Sequence, residues 1–436
     1  MLYQHLTESC FDPPIRDAGL REAEYNDVLA ACEPAIEGLR RAHEVGRLSL
    51  LKLPKARGDI ETLKPIAKNY RESFRDVVLL GTGGASLGGQ TLCALAGQGP
   101  KRIEGTPRLW FMDKVDPDTF DAMMKAINLR ETGFLVVSKS GSTAETVLQF
   151  LVTLGQVRAV LGAAAIPRHF TMITEPGGSP MRELARRFQI PVLDHDPKLG
   201  GRYSVLSLTG LLPAMIAGLD PFAVREGAAT VLDALLTAKA AKDFPPAVGA
   251  AINVGLARHR FVTATVLMLY VDRLADFGSW FRQLWAESLG KGGNGTTPIR
   301  AMGPVDQHSQ LQLYLGGPAD KLFTIVQRDV AKKGHQVDPS FTDDPALYYL
   351  SGRTMGDLVE AEQRATVETL ARNGRPVRVI RIATLDERVM GALLMHFMIE
   401  TIISANLFGV DPFDQPSVEE GKVLTRDYLR QTGIQT

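Results

Sequence analysis

Two loops of this chain combine residue types that bind anions. Residues 81–89 (GTGGASLGG) hold four glycines in the first eight positions, so the backbone can approach a ligand closely and direct its N–H groups at it. Residues 138–143 (SKSGST) offer several hydroxyl groups. Hydroxyl groups beside a helix N-terminus form a neutral cradle for a phosphate. Together the loops predict a phosphate site, with ordinary strand–helix turns as the alternative.

Neither loop carries a nucleotide-binding motif. The dinucleotide fingerprint needs a third glycine where Ser86 stands, and a P-loop needs a lysine where Gln90 follows Gly89. A Rossmann cofactor site is therefore not supported. In the second loop, Ser142 and Glu145 have the spacing of a capping box, which predicts that a helix starts at this point.

Short apolar runs alternate with helical patterns and would position both loops at the ends of strands. Strands are predicted at residues 76–81, 108–113, 133–138 and 169–174, followed by a short apolar run at 190–194, and again at 261–271, 321–327 and 376–382. A long helical stretch at 206–258 separates the two sets, and residues 1–75 show helical patterns without a strong strand signal. Such alternation predicts parallel sheets covered by helices on both faces. Ligands of these sheets bind beyond the carboxyl ends of the strands.

The composition narrows the class of protein. Among 436 residues, Lys plus Arg and Asp plus Glu number 49 each, and the resulting net charge of zero argues against a general nucleic-acid binder. Three cysteines without a CxxC pair argue against a disulfide framework or a structural zinc site and favour a reducing cytoplasm. No signal-peptide pattern is visible at the N-terminus. The longest uncharged stretch, residues 203–219, includes polar residues and Pro213, which predicts a buried helix and not a membrane span.

Four later segments carry a family resemblance. They are GGRYSVLSLTG at 200–210, RQLWAESLGKGGNG at 282–295, PVDQHSQLQ at 304–312 and GVDPFDQPSVEEGK at 409–422. In this order, and together with the two loops, they resemble the glucose-6-phosphate isomerase (phosphoglucose isomerase) family, whose domains have the SIS (sugar isomerase) fold. The resemblance spans residues 78–422. It implies an α/β protein with an N-terminal helical region at 1–50, two SIS-type three-layer αβα domains with mainly parallel sheets at 51–240 and 241–405, and a C-terminal helical segment at 406–436.

The resemblance implies the reversible isomerisation of glucose 6-phosphate to fructose 6-phosphate, in glycolysis and gluconeogenesis. This reaction opens the sugar ring, moves a proton between C1 and C2 through an enediol, and stabilises the oxyanion that develops. It needs no metal or redox cofactor, and the sequence contains no HExxH or similar pair of metal ligands. The protein is accordingly expected to be a cytoplasmic homodimer that binds a hexose 6-phosphate and neither nucleic acid nor a membrane.

The matching motifs imply roles for individual residues. Glu287 corresponds by its motif to the catalytic base of the family. A carboxylate suits this role, since it can abstract a proton alpha to a carbonyl. His308 corresponds to a ring-opening histidine that many family members donate to the neighbouring subunit's site. Lys422 corresponds to the lysine that assists ring opening, and Arg202 to the arginine whose permanent charge stabilises the enediolate. The residues expected to contact the sugar or its phosphate are Gly84, Ser86, Ser138, Lys139, Ser140, Thr143, Gln283 and Gln415.

Three positions depart from the family pattern. Ala85 stands where the first loop of the family has serine, so either Ser86 supplies the missing hydroxyl or backbone amides suffice. Leu289 replaces a frequent asparagine, which affects a secondary contact and not the base. Ser417 replaces a glycine and would be strained if the position required a positive φ.

Two other functions stay open on the sequence. A broader isomerase would also accept mannose 6-phosphate, which a comparison of kcat/KM for the two sugars would decide. A phosphosugar-sensing regulator would keep the SIS fold without catalysis. No basic helix-turn-helix segment is visible, and the presence of Glu287 and His308 also argues against a regulator. Binding of fructose 6-phosphate without turnover would support it.

Overall fold

The computed structural model describes residues 1–97 and 103–432. Residues 98–102 of the predicted first domain and 433–436 of the predicted C-terminal segment lie outside the described residues. The described residues form ten strands: β1 Gln4–Leu6, β2 Asp76–Leu80, β3 Arg108–Met112, β4 Thr132–Val137, β5 Phe170–Thr174, β6 Val192–Asp194, β7 Ala264–Leu269, β8 Thr297–Met302, β9 Lys321–Arg328 and β10 Val377–Ile382.

Helices connect these strands and surround them. They are α1 Glu22–Ala30, α2 Glu33–Glu44, α3 Ser49–Lys52, α4 Gly58–Ser73, α5 Leu87–Cys93, α6 Pro117–Ala126, α7 Ala144–Leu161, α8 Ile166–His169, α9 Pro180–Phe188, α10 Leu208–Ile216, α11 Pro221–Thr237, α12 Pro245–Arg260, α13 Ala275–Leu289, α14 Val305–Ser309, α15 Leu311–Gly316, α16 Met355–Arg372, α17 Glu387–Phe408 and α18 Glu419–Gln431.

The first sheet has five parallel strands in the order β3-β2-β4-β5-β6. Alternate residues of β2 face opposite sides: Val77 and Leu79 belong to one apolar cluster, and Val78 and Leu80 belong to another. Both faces are therefore covered, which is why the strand reads as an unbroken apolar run. The four strands predicted for the first half of the chain are confirmed as β2 to β5, and the short apolar run at 190–194 includes β6. The loops that follow β2 and β4 leave the same edge of neighbouring strands.

The second sheet has the order β1-β10-β9-β7-β8, and only β1 runs antiparallel to its neighbour. The three predicted strands of this half are confirmed as β7, β9 and β10. Two strands escaped prediction: β1, in a region expected to be helical, and β8. Both lie at sheet edges, where one side is unpaired. Because β1 has three residues and β8 includes Pro298 and Arg300, neither shows the apolar run of a central strand.

The helical stretch predicted at 206–258 is confirmed as α10, α11 and α12. Each break lies at a proline that occupies the first turn of the next helix, and the Asp220 carboxylate caps α11 by accepting the N–H of Phe222 at 2.8 Å. One apolar core, which includes residues of α10, α11, α12, α13 and α17, is continuous between the two sheets. The predicted pair of three-layer αβα units is thus confirmed, while the boundaries at 50, 240 and 405 stay predictions.

Two helices, α7 and α17, are long and apolar enough to cross a membrane by length and composition alone. Helix α17 lies inside the protein, with 83% of its most apolar window buried, as expected of a core helix. Helix α7 has only 33% of that window buried. Its exposed face includes Leu148, Leu151, Val152 and Val160, whose spacing forms one stripe along the helix.

A buried polar network joins the N-terminus to α17. The Glu400 carboxylate accepts hydrogen bonds from Arg378 at 2.7 Å, from Asn253 at 3.0 Å and from His396 at 2.9 Å. The other ring nitrogen of His396 accepts the Tyr3 hydroxyl at 2.6 Å. Burial by itself opposes ionisation of Glu400, but the Arg378 charge and the His396 hydrogen bond outweigh it and hold its pKa at about 2. Glu400 is therefore the counter-charge that Arg378 needs in the core.

Replacing this carboxylate is expected to destabilise the fold in a pH-dependent way. Glu400→Gln leaves Arg378 without a counter-charge and should lower the free energy of unfolding by about 3–5 kcal/mol near neutral pH. A carboxyl whose pKa is depressed by folding stabilises above its unfolded pKa. That contribution is lost as the pH falls from 4.5 toward 2. The difference in the free energy of unfolding between wild type and Glu400→Gln should therefore become smaller below about pH 4.5.

Urea titrations followed by circular dichroism, from about pH 7 down to about pH 3.5, measure this difference. Glu72→Gln, on the exposed surface of α4, is the matched control and should change the free energy of unfolding by less than about 1 kcal/mol. An equal difference at every pH would contradict the assignment of the depressed pKa to Glu400.

Candidate active site

The structure brings together side chains from three distant segments around Glu287. This residue lies in the last turn of α13, and its side chain is 31% exposed. One carboxylate oxygen accepts the Gln283 amide at 3.0 Å, and the other accepts the Arg202 guanidinium at 3.2 Å. Gln283 lies one helical turn before Glu287, whereas Arg202 belongs to the 3₁₀ segment Gly201–Leu206. The carboxylate is thus held at both oxygens, which fixes its orientation.

Arg202 is buried and donates all five of its N–H groups to protein acceptors. Its Nε binds the Ser288 hydroxyl at 2.8 Å, and one terminal nitrogen binds Glu287 and the Gln415 side-chain oxygen. The other terminal nitrogen binds the carbonyls of Pro412 at 2.6 Å and Asp414 at 2.9 Å. The predicted enediolate-stabilising arginine therefore also ties α13 to residues 411–415. A substrate oxyanion can hydrogen-bond to it only by replacing one of these acceptors.

The first glycine-rich loop packs directly against this cluster. A Cβ on Gly84 would lie 2.3 Å from the carbonyl carbon of Gly201, and one on Gly83, whose φ is +57°, would lie 2.9 Å from the Gln283 amide nitrogen. These contacts account for glycine at both positions. Ser86 is fully buried, and its hydroxyl accepts the Gln90 amide at 2.8 Å. The geometry thus favours backbone amides, and not Ser86, as the groups this loop offers to a ligand.

The second loop presents its hydroxyl groups beside the first. The Ser138 and Thr143 hydroxyls lie 3.0 Å apart, and the Ser140 hydroxyl accepts that of Ser142 at 3.1 Å. Lys139 donates to the Pro197 carbonyl at 2.7 Å. The two loops touch where they leave their strands, since a Cβ on Gly81 would lie 2.8 Å from the Val137 oxygen. Four predicted phosphate contacts are therefore gathered at one sheet edge.

The predicted capping box at Ser142 is wrong. Helix α7 begins at Ala144 with Thr143 as its N-cap, and in the described chain no side chain caps it. The reason is local competition: the Ser142 hydroxyl bonds to Ser140 and the Thr143 hydroxyl to Ser138. The first N–H groups of α7 are left without a side-chain acceptor, which is the arrangement of an anion-binding helix N-terminus.

His308 and Lys422 are not part of this cluster. His308 is exposed on α14, and Lys422 is exposed on α18, where its ammonium pairs with Glu419 at 2.7 Å. Among the described residues, no hydrogen bond joins either side chain to Glu287, Arg202 or Gln415. Helix α18 buries none of its side chains in the described part of the chain.

The topology explains why His308 is remote from Glu287 within one chain. Helix α13 runs alongside β8 in the opposite direction: Ser279 near its start accepts Arg300 at 3.0 Å, and Trp285 near its end donates to Thr296 at 2.9 Å. Glu287 therefore lies near the amino end of β8, whereas His308 follows its carboxyl end. Six strand residues separate the two edges, a span of about 20 Å.

The remaining departures cause no strain. Ser417 lies in the 3₁₀ turn Pro416–Val418 and is outside the set of positive-φ residues in the described chain, so the position does not require glycine. Leu289 is fully buried at the end of α13.

A cavity of about 200 Å³ is lined by Glu287, Lys291 and residues 415–418.

Several residues of the cluster were not predicted from sequence. Ser288 binds both Arg202 and the Tyr203 hydroxyl, the latter at 3.0 Å, and Lys291 pairs with Asp414 at 2.9 Å. Both Ser288 and Lys291 lie inside the segment that marked Glu287, and this adjacency is the signal that could have found them. Their partners lie at least 85 positions away in the chain, and no sequence spacing reveals such pairs.

Comparisons with known proteins agree on one family. A family model described as phosphoglucose isomerase matches residues 67–433. Glucose-6-phosphate isomerase of Rubrobacter xylanophilus is 38% identical over 387 residues, covering 88% of this chain and 89% of that protein. The enzyme of the same name from Thermus thermophilus is 35% identical over 419 residues, covering 93% and 97%.

Solved structures agree with the fold. A crystal structure of a hypothetical protein from Thermus thermophilus superposes with a TM-score of 0.83 at 33% identity, covering 98% of this chain and 99% of that one. A glucose-6-phosphate isomerase from Chlamydia trachomatis superposes with a TM-score of 0.73 at 22% identity, covering 86% and 73%. The second likeness bears on the fold alone.

Proposed function

The chain belongs to the phosphoglucose isomerase family, and we propose that its active site is built around Glu287. As an aldose–ketose isomerase of this family, it interconverts glucose 6-phosphate and fructose 6-phosphate in glycolysis and gluconeogenesis. The observation that carries the proposed site is the carboxylate of Glu287, held at one oxygen by Gln283 and at the other by Arg202. A base held in this way needs no reorientation before it takes a proton.

The phosphate is assigned to the loop after β4. The hydroxyls of Ser138, Ser140 and Thr143 and the uncapped first turn of α7 offer hydrogen-bond donors to an anion. Lys139 adds a positive charge beside them. The backbone amides of the loop at Gly84 contribute next to them, without the buried Ser86 hydroxyl. Hydroxyl and amide groups are neutral hydrogen-bond donors, so a phosphate site of this kind needs no excess of basic residues and is compatible with a net charge of zero.

Glu287 carries the proton between the two carbon atoms. In the open-chain aldose it takes the proton from C2, and the electron pair forms the C1–C2 double bond of the enediol while the C1 oxygen gains negative charge. Return of the same proton to C1, with transfer of a proton from the C2 oxygen to the C1 oxygen, gives the ketose. Arg202 stabilises the oxyanion by its charge, and Gln415 is the side-chain acceptor that the oxyanion would displace from it.

Gln283 and Lys422 complete the proposed contacts with the sugar. The side-chain oxygen of Gln283 is buried and has no partner among the described residues, so it is available to accept a sugar hydroxyl. Lys422 follows Gln415 along the same C-terminal segment and is assigned to ring opening together with His308. An imidazole can accept a proton from the C1 hydroxyl and return it to the ring oxygen near neutral pH.

We propose a homodimer in which His308 is donated to the partner's site, and the position of this residue supports that proposal. His308 and Glu287 of one chain lie at opposite edges of the second sheet, so one chain does not bring them together. Exposed apolar side chains occur in the segments that follow β8 and β9: Val305, three residues before His308, and Phe341, Tyr348 and Tyr349. Contiguous exposed apolar surface is typical of interfaces. The exposed stripe of α7 adds further apolar surface.

The cytoplasm is the proposed location. Support comes from Cys10, Cys32 and Cys93, which are free and buried. Thiols that remain unpaired suit a reducing compartment.

Turnover of fructose 6-phosphate by chelator-treated protein tests the enediol mechanism. Because Glu287 and His308 supply the proton transfers, activity after dialysis against EDTA is expected to stay within about twofold of the untreated rate. The rate is measured in a coupled assay with glucose-6-phosphate dehydrogenase. All reagents are metal-free except for any ion that the coupling enzyme itself requires. Loss of activity that a divalent cation restores would instead indicate a metal-dependent hydride shift.

A further inference from the structure

Lys291 makes contacts that a surface lysine does not make. It follows the end of α13 by two residues, and its side chain is only 12% exposed. Its ammonium group donates to the Ser288 carbonyl at 3.1 Å and to the Asp411 carbonyl, and it forms an ion pair with an Asp414 carboxylate oxygen at 2.9 Å. Two of its three N–H donors therefore bind carbonyls, and its charge is paired with Asp414.

Two of these three partners, Asp411 and Asp414, belong to the loop 411–415, which Arg202 also contacts. Arg202 takes the carbonyls of Pro412 and Asp414 and the side chain of Gln415. Lys291 takes the carbonyl of Asp411 and the Asp414 carboxylate. The loop therefore presents five oxygen acceptors to two cations, and both cations are anchored to α13, through Ser288 and Glu287.

A helix cap or a stabilising ion pair does not account for this arrangement. Capping the end of α13 needs only the Ser288 carbonyl. The Asp414 side chain is 53% exposed, and an ion pair with an exposed partner contributes little to stability. The contacts instead set the position of a loop that starts after α17 ends, carries Gln415, and leads through Pro416–Val418 to the helix of Lys422.

We propose that Lys291 is a positioning residue for the isomerisation: it holds the loop 411–415 against the end of α13 so that Gln415 and the segment of Lys422 face Glu287. This inference rests on the proposed roles of Glu287 and Gln415. Its consequence is that Lys291 affects catalysis much more than it affects folding, because misplacement of a reacting or binding group by about 1 Å can cost 10²-fold in rate.

Lys291→Met tests the inference, since methionine keeps most of the side-chain length without donors. We expect kcat/KM for fructose 6-phosphate to fall by about 30-fold or more, with a thermal midpoint within a few degrees of wild type. Lys291→Arg, which restores cationic donors, should recover activity to within about fivefold of wild type. Lys68→Met, on the exposed face of α4, is the matched control and should leave kcat/KM unchanged.

A double-mutant cycle with Asp414→Asn separates positioning from general damage. Because the Asp414 carboxylate acts on Lys291, its removal should add nothing once Lys291 is gone, and the double variant should be no slower than Lys291→Met alone. The proposal would be overturned if the fold-losses in kcat/KM of the two single variants multiplied in the double variant. It would also be overturned if Lys291→Met kept kcat/KM within about threefold of wild type. A loss of activity fully matched by a loss of folded protein, followed by circular dichroism, would also overturn it.

Glu287→Gln, assayed in parallel, distinguishes failure of this inference from failure of the proposed function. If Glu287→Gln keeps wild-type turnover, the proposed site itself is wrong. If Glu287→Gln is inactive while Lys291→Met is fully active, only the positioning role of Lys291 is wrong.

Discussion

Replacing Glu287 by glutamine is expected to lower kcat by about 10²- to 10⁴-fold, the usual contribution of general acid–base catalysis. Glutamine has nearly the same shape as glutamate, and its side-chain oxygen can still accept a hydrogen bond from Arg202 or Gln283. The substitution therefore removes the base and leaves the geometry. KM should change much less than kcat, because the proposed phosphate contacts lie on the loop after β4 and are untouched.

The effect of Glu287→Gln is measured in both directions, with fructose 6-phosphate and with glucose 6-phosphate as substrate. Glu420→Gln, on the exposed helix α18, is a matched control of the same chemistry and should keep wild-type kcat. Circular dichroism of the variant should match wild type, since Arg202 retains its other acceptors. Turnover close to wild type in a folded Glu287→Gln protein would show that the base is another group.

Two inactive variants are expected to restore activity when they share one dimer. In a mixed dimer of Glu287→Gln and His308→Gln subunits, the His308→Gln subunit keeps its own Glu287 and receives His308 from its partner. One of the two sites is then complete, so the mixed dimer should regain about half of the wild-type kcat. The kcat of the mixed dimer should therefore exceed that of either single-variant homodimer by about the factor that each substitution costs.

Co-expression with two different affinity tags allows the mixed dimer to be purified by two columns and assayed. The control is a dimer of wild type with a Glu287→Gln/His308→Gln double variant, which should be inactive if the histidine is donated in trans. The opposite pattern, an active control and an inactive mixed dimer, is what a histidine acting within its own chain would give. These two dimers contain the same substitutions in total, so differences in stability do not explain a difference in activity.

The central strands could be predicted from the sequence, since they share one pattern, a continuous run of apolar residues. Strands β2, β4 and β7 are buried on both faces, so each reads as an apolar run. Glu287 and Arg202 lie in separate motifs, yet both were predicted, and the structure brings them within 3.2 Å. The edge strands β1 and β8 were missed because β1 has only three residues and β8 includes Pro298 and Arg300, whereas the edge strand β3 keeps a recognisable apolar run.

Contacts that depend on competition between neighbours were also missed. Ser142 has the spacing of a capping box, but its hydroxyl binds Ser140 instead, and nothing in the spacing shows which bond is the stronger. The same holds for Ser86, whose hydroxyl turns inward to Gln90. The pairing of Lys291 with residues 411–414 spans about 120 positions and is set by the packing of the C-terminal loop on α13.

The strand β1 has a consequence for how the chain is made. Residues 4–6 pair with residues 379–381, and the Tyr3 hydroxyl binds a histidine 393 positions later. During synthesis, residues 4–6 must therefore wait until residues 379–381 have left the ribosome before they can pair. Contacts at such sequence separation form late, because their ends must first be brought together. We therefore expect β1 to join the edge of the second sheet later than β7 pairs with β8 and β9.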